Sequence, residues 1–344
     1  MSLEYLRGKK ILITGGTGFV GKRLVQSLAS LSKELDIQIS CLVRSSSKRD
    51  GLPSCIQFFE ANLSTGEGLE VALKGQDIFI HMAALLFGLN WQDYFTNVQA
   101  ASNLGKAIAH EQANGSLSRV LFVSSLAASG PINNGVKGLG VDDNVIASPV
   151  SAYGWSKYIS EEVLARHAGN SLVVLRPPII YGSGDKGLLP YFKLAQKGLV
   201  MSPGFKRDFP VSLIHVQDMV QAILCALKPE AKGVYHCNDG YSEHNMQKLG
   251  QSMAKLMGKE AKCLTIPLFI MCITAYLSNI WGIIAQKLSL RLPSWNVDKY
   301  REAKVSGWLC NSQRLQDELG FKPEISLEAG LEEAITGYKN EGLL

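Results

Sequence analysis

The chain has 344 residues, more than a single hydrophobic core usually organises, so a large domain with a smaller companion is expected. Hydrophobic residues make up 46% and charged residues 19%, a globular composition that excludes a disordered chain. The net charge of +5 comes without a basic arm, so no nucleic-acid partner is expected; the seven cysteines, with no CxxC spacing, exclude a disulfide framework and a structural metal site and point to a reducing compartment.

The N-terminal MSLEYLRGKK lacks the apolar stretch of a signal peptide, and a cytoplasmic location is expected. Strand-like runs follow at Lys10–Thr14, Gln38–Val43, Ile56–Phe59, Ile78–His81, Val120–Ser124 and Leu172–Leu175. Helix-like segments at Gly21–Leu31, Gly68–Lys74, Gln92–Glu111 and Tyr153–Ala168 separate most of them. Strands alternating with helices imply βαβ units. Near-continuous apolar strands imply a sheet covered on both faces. The fold class is therefore α/β, a doubly wound parallel sheet whose ligands sit at the carboxyl ends of the strands.

After Tyr181 the rhythm breaks at Gly182-Ser183-Gly184-Asp185, and one further strand-like run appears at Gly233–Cys237. Residues 1–182, receiving also roughly 211–237, are expected to form the nucleotide-binding domain, and 183–344 a smaller, mainly helical substrate domain. Leu264–Ala285 is apolar almost all round. It reads as a buried helical lid over an apolar pocket, or as a peripheral contact with a membrane surface flanked by Lys262, Lys287 and Arg291.

Thr14-Gly15-Gly16-Thr17-Gly18-Phe19-Val20-Gly21 sits between the first strand and the first helix and satisfies GxGxxG from Gly16 and GxxGxxG from Gly15. Glycine lets the backbone approach a pyrophosphate, and the helix N-terminus offers free N–H groups to it. An NAD enzyme is expected to carry an acid near the end of the second strand. Arg44 stands there instead, followed by Ser45, Ser46, Ser47 and Lys48, which suits the 2′-phosphate of NADP.

Tyr153-Gly154-Trp155-Ser156-Lys157 places a phenol and an ammonium on one helix face. A phenol is a poor base at neutral pH, and a nearby cation is expected to lower its pKa. Past the fifth strand, Ser124, Ser125 and Ser129 are each able, on chemistry alone, to donate to a substrate oxygen.

With these motifs in place, the sequence resembles the extended short-chain dehydrogenase/reductase family, also called the NAD-dependent epimerase/dehydratase family. The resemblance rests on Thr14–Gly21, His81–Ala84, Asn97, Ser124–Gly130, Tyr153–Lys157, Leu175–Gly182 and Ile214–Met219. It implies that Ser125, five residues before Gly130, is the active-site hydroxyl. It implies that Ala83, Ala84, Asn62 and Leu63 border the cofactor, with Asn62 replacing an acid beside the adenine, and that Pro177 and Ile180 approach the nicotinamide. Asn97 is expected to be structural, and His215 and Asp218 to join the two domains. A homodimer through the helices carrying Asn97 and Tyr153 is implied.

Within that family, Leu126 and Ala127 stand where sugar dehydratases carry an Asp-Glu pair. Arg207-Asp208-Phe209 lies upstream of its place in sugar epimerases. The layout is more similar to dihydroflavonol-reductase-like and 3β-hydroxysteroid-dehydrogenase-like members. The expectation is an NADP-dependent oxidoreductase interconverting a ketone and a secondary alcohol on an apolar substrate through Ser125, Tyr153 and Lys157. A nucleotide-sugar epimerase or dehydratase that retains NAD is the competing expectation.

Overall fold

The computed structural model describes residues 3–115, 117–132, 140–204, 209–241, 243–290 and 292–344. Arg207, Asp208, Arg291 and most of the loop between Pro131 and Asp142 lie outside the described residues.

The strands are β1 Lys10–Thr14, β2 Gln38–Val43, β3 Gln57–Glu60, β4 Ile78–His81, β5 Arg119–Val123, β6 Leu172–Arg176, β7 Ile179–Tyr181, β8 Leu199–Pro203, β9 Leu213–His215, β10 Gly233–His236 and β11 Lys262–Ile266. The helices of the first half are α1 Phe19–Leu35, α2 Leu69–Leu73, α3 Trp91–Ala113, α4 Leu126–Ser129 and α5 Ala152–Ala168. Those of the second half are α6 Leu189–Gln196, α7 Val216–Ala226, α8 Met246–Leu256, α9 Leu268–Lys287, α10 Val297–Ala303, α11 Gln313–Leu319 and α12 Leu327–Asn340.

Seven strands form one parallel sheet in the order β3-β2-β1-β4-β5-β6-β10. The order reverses beside β1: Thr14 pairs with Leu42 on one side and with His81 on the other. A crevice opens at such a reversal, at the carboxyl ends of the strands.

Alternate residues of a strand face opposite sides, and both sides of this sheet are covered. In β1, Ile11 and Ile13 enter the core packed by Leu24 and Leu28 of α1 and by Met219 and Ile223 of α7. Leu12 enters the opposite core, with Leu104 and Ile108 of α3 and Leu164 of α5. β5 repeats the division, Leu121 and Val123 one way and Val120 and Phe122 the other. That burial is why the apolar runs are unbroken and legible as strands.

The C-terminal region has its own core around Tyr181, Phe192, Leu213, Met253, Leu331 and Tyr338. It is not helical throughout: β8 pairs with β11, and β7 with β9. His215 and Asp218 both bond residues at and before α12. His215 Nε2 meets Glu333 Oε2 at 3.1 Å, and Asp218 accepts from the Glu324 and Ile325 amides.

The apolar segment Leu264–Ala285 is not one element and is not buried. Pro267 ends β11 and opens α9. The buried residues of α9 are Ala275, Gly282 and Ala285, so the expected buried lid is corrected to a helix with most of its apolar surface outward. It is long and apolar enough to cross a membrane by length and composition.

Candidate active site

The glycine loop is shaped by what cannot fit beside it. Gly15 sits at φ +75°, and a Cβ there would lie 2.8 Å from the Ala83 amide nitrogen; one at Gly21 would lie 2.0 Å from the Gly15 carbonyl oxygen. The first contact lets the ends of β1 and β4 meet, and the second lets α1 pack against the turn. A Cβ at Gly18 would meet only the Gly15 oxygen within 4 Å, and Gly18 opens α1 with no side-chain cap. A shallow cradle over a helix N-terminus results, which fits the pyrophosphate of a dinucleotide.

Thr17 is partly buried in this turn, the Phe19 ring faces Gly184, and Val20 packs on the core. Thr14 Oγ1 holds the opposite lip by accepting from the Met82 and Ala83 amides at 3.1 and 3.3 Å; Ala84 continues that lip.

At the end of β2, Arg44 is exposed. Its backbone amide donates to Ser47 Oγ at 3.0 Å, and no acid pairs with its guanidinium among the described residues. Arg49, by contrast, is engaged by Glu60 at 2.5 Å and lies over Phe58. Asn62 builds its own loop, accepting from the Ser64 and Thr65 amides, and Asn103 holds the Leu63 carbonyl.

The three serines separate by geometry. Ser124 is buried and donates to Glu161 Oε1, while Ser129 is buried between Arg176 Nη1 at 3.0 Å and His236 Nε2 at 2.6 Å. Both belong to a network centred on the Arg176–Glu161 ion pair. Ser125 caps α4, and its hydroxyl acts on the Tyr153 phenol, lowering its pKa. Ser125 is thus the one of the three not tied into that network.

Lys157 is 2% exposed. Its ammonium donates to the Val123 carbonyl at 2.8 Å and lies over the Phe122 ring at 4.1 Å. Burial lowers it from an ordinary 10.5 to about 7, with Glu161 opposing. Next to it His81, stacked between Phe79 and Phe122, is pushed down to about 3 by burial and then by the Lys157 charge.

The expectation that the lysine lowers the tyrosine is not met in the protein alone. Burial pushes the Tyr153 phenol up to about 12, the Ser125 hydroxyl only partly offsets this, and Glu302 adds to the rise. Lys157 spends its hydrogen bond on a backbone carbonyl instead, and desolvation of the phenol wins.

Asn97 is structural: its amide brackets the Leu85 backbone at 2.7 and 3.1 Å and bonds Ser156 Oγ, pinning the loop after β4. The Pro177 carbonyl accepts from the Leu126 amide, next in sequence to Ser125, and Ile180 pairs with Ile214 in the β7–β9 ladder.

Sequence reasoning missed Asp298 and Lys299. Buried Asp298 accepts from the Ala152 and Tyr153 amides at 2.6 and 3.2 Å, capping the helix that carries the tyrosine. Lys299 Nζ stands 5.3 Å from the Tyr153 ring centroid and 6.0 Å from that of Phe87. Nothing local marks a cap supplied from 145 residues away. Asp298→Ala strands two amides and is expected to destabilise the protein by about 1–3 kcal/mol, read from urea melts; an unchanged midpoint would remove Asp298 from this role.

A cavity of about 300 Å³ lined in part by Asp142, Asp143, Arg314 and Glu318 lies elsewhere and holds none of these residues.

A glycine cradle at the reversal of a seven-strand parallel sheet, facing a Ser–Tyr–Lys cluster, defines a nucleotide-binding oxidoreductase fold. The chain matches the NAD dependent epimerase/dehydratase family over residues 11–237, and it belongs to that family. It is 25% identical over 340 residues to a ceramide reductase of Caulobacter vibrioides, covering 97% of this chain and 96% of that one. It is 25% identical over 343 residues to a UDP-glucose 4-epimerase of Vibrio cholerae, covering 96% and 95%. The crystal structure of the UDP-glucose 4-epimerase of Thermus thermophilus in complex with NAD superposes with a TM-score of 0.72 at 21% identity, covering 96% of this chain and 99% of that one.

Proposed function

We propose that the protein is an NADP-dependent oxidoreductase that interconverts a ketone and a secondary alcohol on an apolar substrate. The observation that carries the reading is buried Lys157 at the Val123 carbonyl, on the helix of Tyr153 and beside Ser125, at the carboxyl end of β5. The nicotinamide nucleotide, when bound along Gly15, Gly18 and Gly21, supplies or takes up the hydride.

Ser125 donates to the substrate oxygen and steadies the charge that develops there. Tyr153 donates its hydroxyl proton to that oxygen during reduction and takes one back during oxidation. The phenol held near 12 arrives protonated at neutral pH, which suits reduction. Lys157 orients the nicotinamide ribose and assists the phenolate. Pro177 and Ile180 border the nicotinamide, and Ala83, Ala84, Asn62 and Leu63 the rest of the nucleotide.

Two features favour this reading over a nucleotide-sugar epimerase that retains NAD. Arg44 has no acidic partner among the described residues where a 2′-phosphate would sit, and Leu126 and Ala127 leave no acid after Ser125. The loop from Leu85 to Phe87 is apolar and exposed, and the relative that reduces ceramide carries the same reaction class. A homodimer through the outer faces of α3 and α5, where Phe95 and Trp155 are exposed, and a cytoplasmic location complete the proposal.

The test is a titration of the purified protein with NADPH and NADH, followed by turnover of apolar ketones. Arg44→Asp is expected to weaken NADPH by about 10- to 100-fold through a lost charge-assisted pair, with NADH little changed. Equal affinities in the parent protein, or tightly held NAD that does not exchange, would replace this reading with the epimerase one.

A further inference from the structure

α9 is built inside out for a surface helix. Its protein-facing seam is made of small and hydroxyl residues at helical spacing. Ala275 and Ala285 are buried, a Cβ at Gly282 would lie 2.5 Å from the Leu89 side chain, and Ser278 Oγ donates to the Trp295 carbonyl at 2.6 Å. The opposite stripe, Phe269, Ile273, Tyr276, Ile280 and Ile284, is 44–66% exposed. A water-facing helix puts polar residues there, and an apolar face of this extent marks a contact site.

We infer that α9 lies in the plane of an anionic lipid bilayer, its outward stripe in the headgroup–acyl boundary, and that substrate passes from the bilayer to Tyr153 across the Leu85–Leu89 loop. The inference deepens the apolar-substrate reading and rests on it for the delivery step alone.

Charge selects the lipid surface. From Ala261 to Val297 the sequence has no Asp or Glu, and it carries Lys262, Lys287 and Arg291. Lys287 closes the helix on the same stripe as Ile273, Ile280 and Ile284, by three- and four-residue steps, and is exposed. Cations flanking an apolar face, with no acid among them, complement an anionic surface. An aromatic residue such as Tyr276 suits the interface.

The anchoring excludes a span. β11 before the helix is paired with β8, and α10 after it caps the Tyr153 helix through Asp298. A helix of 20 residues is about 30 Å long, so crossing a bilayer would require one of these two attachments to leave the body.

A chain of contacts joins α9 to the site. Leu89 lies under Gly282, Asn296 Nδ2 donates to the Gly88 carbonyl at 2.9 Å, and Lys299 stands over both Phe87 and Tyr153.

The experiment is flotation of the purified full-length protein with vesicles of phosphatidylcholine alone or mixed with phosphatidylserine, at low and high salt. It is run alongside sedimentation, a thermal melt and turnover of a water-soluble ketone. The parent protein is expected to float with the anionic vesicles at least about tenfold better than with the neutral ones, and less well in high salt. Ile280→Asp is expected to abolish flotation while leaving the melt and soluble-ketone turnover unchanged, and Lys287→Glu to weaken it about tenfold. Parent protein that stays with neither vesicle overturns the inference, as does an Ile280→Asp variant that floats like the parent. An Ile280→Asp variant that converts a dimer to a monomer also overturns it, since the face then belongs to a second copy. Flotation without turnover of any ketone would sink the reductase reading and leave the docking surface standing.

Discussion

Tyr153→Phe is expected to lose about 10²–10⁴-fold in ketone reduction, while NADPH binding changes by no more than about threefold. The ring stays, so its contact with Tyr94 and its place beneath Lys299 are kept, and only the hydroxyl and its proton go. Ser125→Ala, which removes one donor and leaves the acid, is expected to cost less, about 10- to 10³-fold. Because burial holds the phenol near 12, reduction should show no fall with pH assignable to Tyr153 below about pH 9. Oxidation, which needs the basic form, should rise with pH over the same range. Steady-state rates in both directions decide the matter. A Tyr153→Phe variant within tenfold of the parent would remove Tyr153 from proton transfer.

The parts of this site that were legible in the sequence are those whose signal is local. The inner strands of the main sheet are buried on both faces, so their apolar runs are uninterrupted, and β1, β2 and β4 begin and end where the pattern does. The glycine loop is legible because Gly15 and Gly21 occupy places where any side chain would strike backbone. Tyr153 and Lys157 are legible because a four-residue step on a helix fixes their common face.

What escaped depends on contacts between distant residues. Ser125 could be told from Ser124 and Ser129 only by resemblance, yet in the fold the other two are consumed by the Arg176–Glu161 pair, whose members lie 15 residues apart and carry no motif. Asp298 reaches α5 from the far end of the chain. The paired strands β7 with β9 and β8 with β11 are three to five residues long and escape pattern reading. The orientation of α9 was illegible for a different reason: a helix apolar all round gives no indication of which side faces the protein, and only the small-residue seam against Leu89 decides it.

The same desolvation that shapes the chemistry has a cost in stability, and Lys157→Met should expose it. Turnover is expected to fall by about 10³-fold or more, because the only ammonium described at the Val123 carbonyl is gone. Stability without nucleotide should move the other way. The folded state holds Lys157 at about 7 while the unfolded chain holds it at its ordinary 10.5, so between those values the unfolded state binds more protons. Stability then rises with pH from 7 to 10.5, and what is present above 10.5 is lost as pH falls to 7. At neutral pH the buried ammonium therefore costs a few kcal/mol, of which about 1–3 kcal/mol is cancelled in the variant by the Val123 carbonyl left without its donor. Lys157→Met is expected to be more stable than the parent by about 1–3 kcal/mol at pH 7, and the gap should close and reverse by pH 10. Urea melts of both proteins at pH 7, 8.5 and 10 measure this directly, and the difference in slope isolates Lys157 from the other groups that titrate there. A variant less stable than the parent at pH 7, with the same pH slope, would mean that Lys157 is fully charged in the crevice and that the phenol has a stronger cation beside it than burial allows.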